Sequence, residues 1–240
     1  MQSIVDGVTR FQNHIYPQKK DLFNSLAAGQ NPQALFITCG DSRIVPDLIM
    51  QTSPGEIFIC RNAGNIVPPM SDSSGGVAAT IEYAVVALDV SNIILCGHSQ
   101  CGAMKALLDP ASLDGMPTVA PWLHHADSAL RVVRENYPDL PEQDRLEILT
   151  KENVLTQLEH LKTHPAVAAR LARGAINLYG WYYDIQTGGI QSFDYESGDF
   201  ETLTATARIA SATPPPRSLR TTKATDALAF ESSPQAVSSE

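Results

Sequence analysis

Basic residues are scarce in this chain. Its 17 Lys and Arg stand against 26 Asp and Glu, a formal charge of −9, which argues against a nucleic-acid surface and leaves no basic anchor for anionic lipid. No uninterrupted apolar run approaches the ~20 residues of a membrane span. The first residues also lack a basic stretch leading into an apolar one, so neither a spanning helix nor a secretory leader is expected. Cysteine is sparse too: there are 4 in 240 residues, with no disulfide-scaffold spacing and no Cys-x-x-Cys redox pair. That usage suits a reducing compartment where thiols stay free for metal, so the expected location is cytoplasmic.

What the chain does have is a 43% hydrophobic content, enough for one good-sized core. Two stretches organise it, residues 34–46 (ALFITCGDSRIVP) and 92–104 (NIILCGHSQCGAM). Each runs a short apolar segment into a polar turn, with Cys39 in the first and His98 and Cys101 in the second. Strands that are continuously hydrophobic belong to parallel sheets covered on both faces. Ligand sites in such sheets lie beyond the carboxyl ends of the strands, so parallel neighbours would bring the three donors to one rim. Three soft ligands suit an open zinc site, since a structural zinc takes four; Asp41 is an ambiguous fourth. Cys101 also opens a helix, CGAMKALLD, whose positive N-terminal end favours a thiolate. Cys60 and Cys96 read as buried packing residues, and Gly97 and Gly102 as tight backbone turns.

Strand and helix alternate around these stretches, the pattern of an α/β sheet. Residues 2–29 read as two helices broken at Tyr16 and Pro17, with Ile4, Val8, Phe11 and Ile15 at helical spacing. A strand is expected over 56–60, a helix over 74–88, and three helical segments between 117 and 173. The histidines of that region, His124, His125, His160 and His164, read as surface residues or as support behind the ligands. Residues 176–195 read as strand, Thr-Gly-Gly turn and return strand at one sheet edge. The division expected is one domain over 1–205, comprising an arm (1–29), a zinc-bearing core (30–110) and helices with edge strands (117–205). Residues 206–240, rich in Ser, Ala, Thr and Pro, read as a disordered tail.

The pattern Cys39-x-Asp41-x-Arg43 followed by His98-x-x-Cys101 resembles the β-class carbonic anhydrases. The resemblance continues through PGEIFICRNAGNIVPP at 54–69 and through residues 74–105. It implies an α/β fold with a central, mostly parallel sheet flanked by helices and an N-terminal helical arm. It implies Zn2+ on Cys39, His98 and Cys101, reversible hydration of carbon dioxide to bicarbonate, and an arm that embraces a second subunit, making a homodimer the smallest unit. Two thiolates and a neutral imidazole would leave the zinc complex uncharged, so activity is expected to favour alkaline pH.

Asp41 and Arg43 can pair if the loop curls, and the resemblance makes the pair a switch: held by Arg43, Asp41 leaves the metal open; released, it can become a fourth ligand. Gln30 matches the family's amide donor to substrate, Phe58 and Tyr83 match the pocket wall, and Ala63 stands where a valine is usual. Phe36 replaces the Trp of bicarbonate-inhibited relatives, against regulation of that type. FITCGDSRI, RNAGN and LKTHP together with the tail are most similar to carboxysomal enzymes of cyanobacteria, which implies recruitment to a carboxysome scaffold protein. The competing functions are a non-catalytic zinc-fold scaffold-binding protein and a hydrolase of carbon disulfide or carbonyl sulfide.

Overall fold

The computed structural model describes residues 1–71 and 75–204. The chain begins with helix α1 (Gln2–Arg10), continues through a π-helical stretch (Phe11–Ile15) and a 3-10 turn (Tyr16–Lys19), and ends this first section in α2 (Lys20–Ala27). The break falls at Tyr16 and Pro17, as the sequence predicts. No residue of these segments is buried; Phe11 packs on Tyr16 and Phe23 within the arm, while Ile4, Val5, Val8 and Ile15 stay exposed.

A sheet follows. Strands β1 (Ala34–Cys39), β2 (Ile57–Asn62), β3 (Asn92–His98) and β4 (Asn177–Tyr183) run parallel, and β5 (Ile190–Asp194) and β6 (Asp199–Thr202) continue antiparallel, in the order β2-β1-β3-β4-β5-β6. The expected hairpin is β4 and β5. The short, mostly exposed β6 was not expected; its DFET sequence carries no apolar alternation.

All six residues of β1 are buried because the strand sits between two others and is covered on both faces. Side chains alternate across the sheet. Leu35, Ile37, Ile93, Leu95 and Leu178 pack on one face with Val154, Leu158 and Leu161, each fully buried leucine contributing about 1.5–3 kcal/mol. Ala34, Phe36, Ile94, Cys96 and Trp181 pack on the other.

The first face is covered by α8 (Glu142–Lys162), which follows α3 (Pro46–Met50), α4 (Gly76–Glu82, extended by a π turn at Tyr83–Ala87), α5 (Gly102–Leu108), α6 (Val119–Leu123) and α7 (Asp127–Asn136); α9 (Pro165–Ala172) comes next. The first of the three expected helical segments is therefore split into α6 and α7 by a 3-10 turn at His124–Ala126. Helix α4 is described from Gly76; the expected start at Ser74, like the tail at 206–240, lies outside the described residues.

Gly97 corrects the sequence reading. Its role is close packing: a Cβ there would stand 2.9 Å from Val154 Cγ2 and 3.0 Å from Thr150 Cγ2. Gly180 on β4 serves the same helix, with Leu158 Cδ1 2.9 Å away. At Gly102 a Cβ would meet nothing within 4 Å, and the residue that takes the left-handed conformation in this turn is Gln100, at φ 55°.

No described helix is long and apolar enough to cross a membrane.

Candidate metal centre

Thr38 pairs with Cys96 across β1 and β3. One step further lies Cys39 and two steps further His98, so parallel pairing alone brings these side chains to one rim. Gln100 then reverses the chain and returns Cys101 to the same place as the residue preceding α5. The sulfurs of Cys39 and Cys101 end 4.0 Å apart, and the donor atoms of Cys39, His98 and Cys101 all lie within 4.8 Å of one another, every residue buried.

The donor chemistry fits zinc. His98 Nδ1 lies 2.9 Å from the Ser99 carbonyl oxygen, which can only accept, so Nδ1 carries the proton and Nε2 presents a lone pair. That Nε2 is buried without a hydrogen-bond partner, a costly arrangement unless a ligand occupies it. Two thiolates about 2.3 Å from a tetrahedral ion sit about 3.8 Å apart, close to the observed sulfur spacing.

The local field points the same way. The neighbouring Cys101 thiol, then His98 and the N–H groups of Gly64 and Asp41, hold the Cys39 pKa far below the usual thiol value against the opposing effect of burial. The Cys101 pKa is pushed up, chiefly by Cys39 beside it and then by burial, despite the N–H groups of Met104 and Ala103. One thiolate is favoured and a second opposed, a conflict that a dication removes. Cys60 and Cys96 are buried away from this cluster; burial raises the first and pushes the second up to about 12, as expected of inert packing thiols.

The loop after β1 curls so that Asp41 and Arg43 pair. Arg43 Nε donates to Asp41 Oδ1 at 2.9 Å, and Nη2 to Oδ2 at 2.6 Å and to the Gln100 carbonyl at 3.0 Å, so the guanidinium ties the two ligand loops together. Arg43 holds the Asp41 carboxyl well below the usual carboxylate range. Arg61, which sequence reasoning passed over, braces the same loop through the carbonyls of Cys39 (3.0 Å) and Asp41 (2.7 Å).

Comparison with known proteins now decides the family. The carbonic anhydrase family model matches residues 34–190. The chain is 50% identical to a carbonic anhydrase of Pseudomonas aeruginosa over 85% of this chain and 92% of that one. It is 46% identical to one of Synechococcus elongatus over 83% of this chain and 74% of that one. The solved β-carbonic anhydrase CcaA superimposes with a TM-score of 0.83 at 45% identity, over 85% of this chain and 99% of that one. The chain belongs to the β-class carbonic anhydrases. It is accordingly an enzyme of that family, and the α/β fold with its helical arm is the family's fold.

Within this carbonic anhydrase, the residues matched to the substrate side are more exposed than the ligands. Phe58 and Tyr83 touch, ring centroids 5.9 Å apart, but Tyr83 is 51% exposed. Gln30 and Ala63 are both exposed.

Among the histidines, His164 departs from a surface reading. His124 is exposed and pairs with Asp127 at 2.8 Å, whereas His164 is a buried structural residue 3.0 Å from the Pro68 carbonyl. His160 Nδ1 likewise lies 2.8 Å from the Val67 carbonyl. With Asn153 and Gln157, His160 forms a polar row along α8 that grips the loop after β2, and His164, just ahead of α9, extends the grip. Their partners are backbone groups about 90 residues away in sequence, which no motif reports.

Proposed function

We propose that Cys39, His98 and Cys101 hold one zinc ion and that the enzyme uses it to hydrate carbon dioxide reversibly to bicarbonate and a proton. The observation that carries this reading is the buried, unpartnered Nε2 of His98 facing two sulfurs. Zinc on such donors acts as a Lewis acid and makes water a nucleophile near neutral pH. Arg43 keeps the Asp41 carboxylate ionised and fixed, its Oδ2 3.9 Å from His98 Nε2. From there Asp41 accepts a proton-side hydrogen bond from the attacking water and turns its lone pair toward the carbon. Phe58, Tyr83 and Ala63 form the apolar wall and Gln30 donates its amide to a substrate oxygen. Stopped-flow hydration on protein of measured zinc content tests the reading. Hydrolysis of carbon disulfide or carbonyl sulfide without hydration would replace it, and zinc-bound protein with neither activity would favour a scaffold-binding role.

The working unit we propose is a homodimer or higher even-numbered oligomer. The arm exposes Ile4, Val5, Val8, Phe11 and Ile15. A cavity of about 500 Å³ on the thinly covered sheet face, lined among others by Met50, Ile94, Tyr179, Trp181 and Leu203, offers apolar surface for a second copy. Two related enzymes of Sordaria macrospora are described as tetrameric.

Placement in the cytoplasm, within a carboxysome that it supplies with carbon dioxide for carbon fixation, is also proposed. Its support is the low-complexity tail and similarity to two cyanobacterial enzymes, at 46% and 45% identity, though the Pseudomonas aeruginosa enzyme exceeds both at 50%. Deleting residues 210–240 is expected to leave hydration unchanged and to weaken co-purification with a carboxysome scaffold protein.

A further inference from the structure

Two hydrogen bonds of separate origin meet on one peptide unit beside the metal donors. The carbonyl oxygen of the Ala63–Gly64 peptide accepts from Trp122 Nε1 at 2.9 Å, and its N–H donates to Cys39 Sγ at 3.5 Å. The next carbonyl, that of Gly64, accepts from Asn153 Nδ2 at 3.0 Å. Gly64 takes φ 78°, and a Cβ there would stand 3.1 Å from that of Ala103, so the loop passes the site in a shape only glycine adopts freely.

Asn153 is fully buried in the middle of α8. Its Oδ1 accepts from Gln157 Nε2 at 3.0 Å, and Gln157 Oε1 accepts from the Val67 N–H at 2.9 Å. Burying two amides on a core-facing helix is expensive unless every group is partnered. The partners here are each other, the loop at 64–67 and the His125 carbonyl.

An N–H aimed at a thiolate draws charge from the sulfur, and a peptide whose own carbonyl is hydrogen-bonded donates more strongly. We propose that Asn153 and Trp122 are positioning residues. Trp122 holds the carbonyl of the Ala63–Gly64 peptide and Asn153 that of the next one, so that the Gly64 N–H meets Cys39 Sγ, and together they set how much charge that sulfur gives a bound metal. This rests on the zinc-site reading above.

The test uses the full-length protein loaded with cobalt(II) and follows its sulfur-to-cobalt charge-transfer band. Trp122→Phe, which keeps a half-exposed ring and removes only its N–H, and Asn153→Ala should both move the band to longer wavelength. A sulfur relieved of a donor gives up its electron more easily. Zinc affinity, measured by chelator competition, should fall about tenfold in Asn153→Ala. Leu161→Ala, which weakens the far end of the same helix, should leave the band in place. A band identical to wild type in both cobalt-loaded variants, or an equal shift in Leu161→Ala, overturns the positioning role. Wild-type protein with no thiolate band at all sinks the metal assignment, and the positioning role with it.

Discussion

Arg43 holds both carboxylate oxygens of Asp41, at 2.9 Å through Nε and 2.6 Å through Nη2, and with the same Nη2 reaches the Gln100 carbonyl between His98 and Cys101. One side chain thus spans the turn after β1 and the turn after β3. Asp41→Asn keeps the shape and removes the charge, so zinc content should stay at one per chain while hydration falls about 100-fold. Metal loss comparable to that of a cysteine variant would make Asp41 a constant ligand instead.

Gly97→Ala would place a Cβ 2.9 Å from a methyl of the stiff Val154 and 3.4 Å from the Thr150 carbonyl, so α8 has to move. Urea unfolding should show a loss of about 1–3 kcal/mol. Gly102→Ala, where the space is open, serves as the contrast and should lose less.

What the sequence makes legible depends on how far apart the cooperating residues lie. The ligand set is legible because Cys39 and His98 end strands whose hydrophobic runs declare their own burial, parallel pairing brings them together, and Cys101 follows in the turn after His98. Gly97 was misread because its neighbour is a helix some 50 residues later, and nothing local separates a packing glycine from a turn glycine. His164, Gln157 and Asn153 escaped for a related reason: they bond backbone groups of a loop, and backbone groups have no sequence signature. Gln30, Ala63 and Tyr83 rest on resemblance alone, and all three are exposed in the single chain.

Burial lowers the pKa of His125, His160 and His164 below the usual 6.5, so the folded protein holds them neutral more firmly than the unfolded chain does. The stability they contribute is complete above about pH 6.5 and is lost as pH falls from there through the lower folded values. The urea midpoint should therefore drop between pH 7 and pH 5. His164→Gln, which can still donate to the Pro68 carbonyl without titrating, should flatten that slope; an unchanged slope would count against it.

Removing residues 2–27 should convert the oligomer to monomers in light scattering, because the arm leaves Ile4, Val5, Val8 and Ile15 exposed in the single chain. Oligomers of unchanged mass would place the subunit contact elsewhere.

The central claim is that hydration runs on a metal held by Cys39, His98 and Cys101. Its most direct test is stopped-flow carbon dioxide hydration paired with metal analysis on wild type and Cys101→Ser. One zinc per chain and rapid hydration are expected in the first, and loss of both together in the second. Hydration that persists in metal-free Cys101→Ser protein would contradict it.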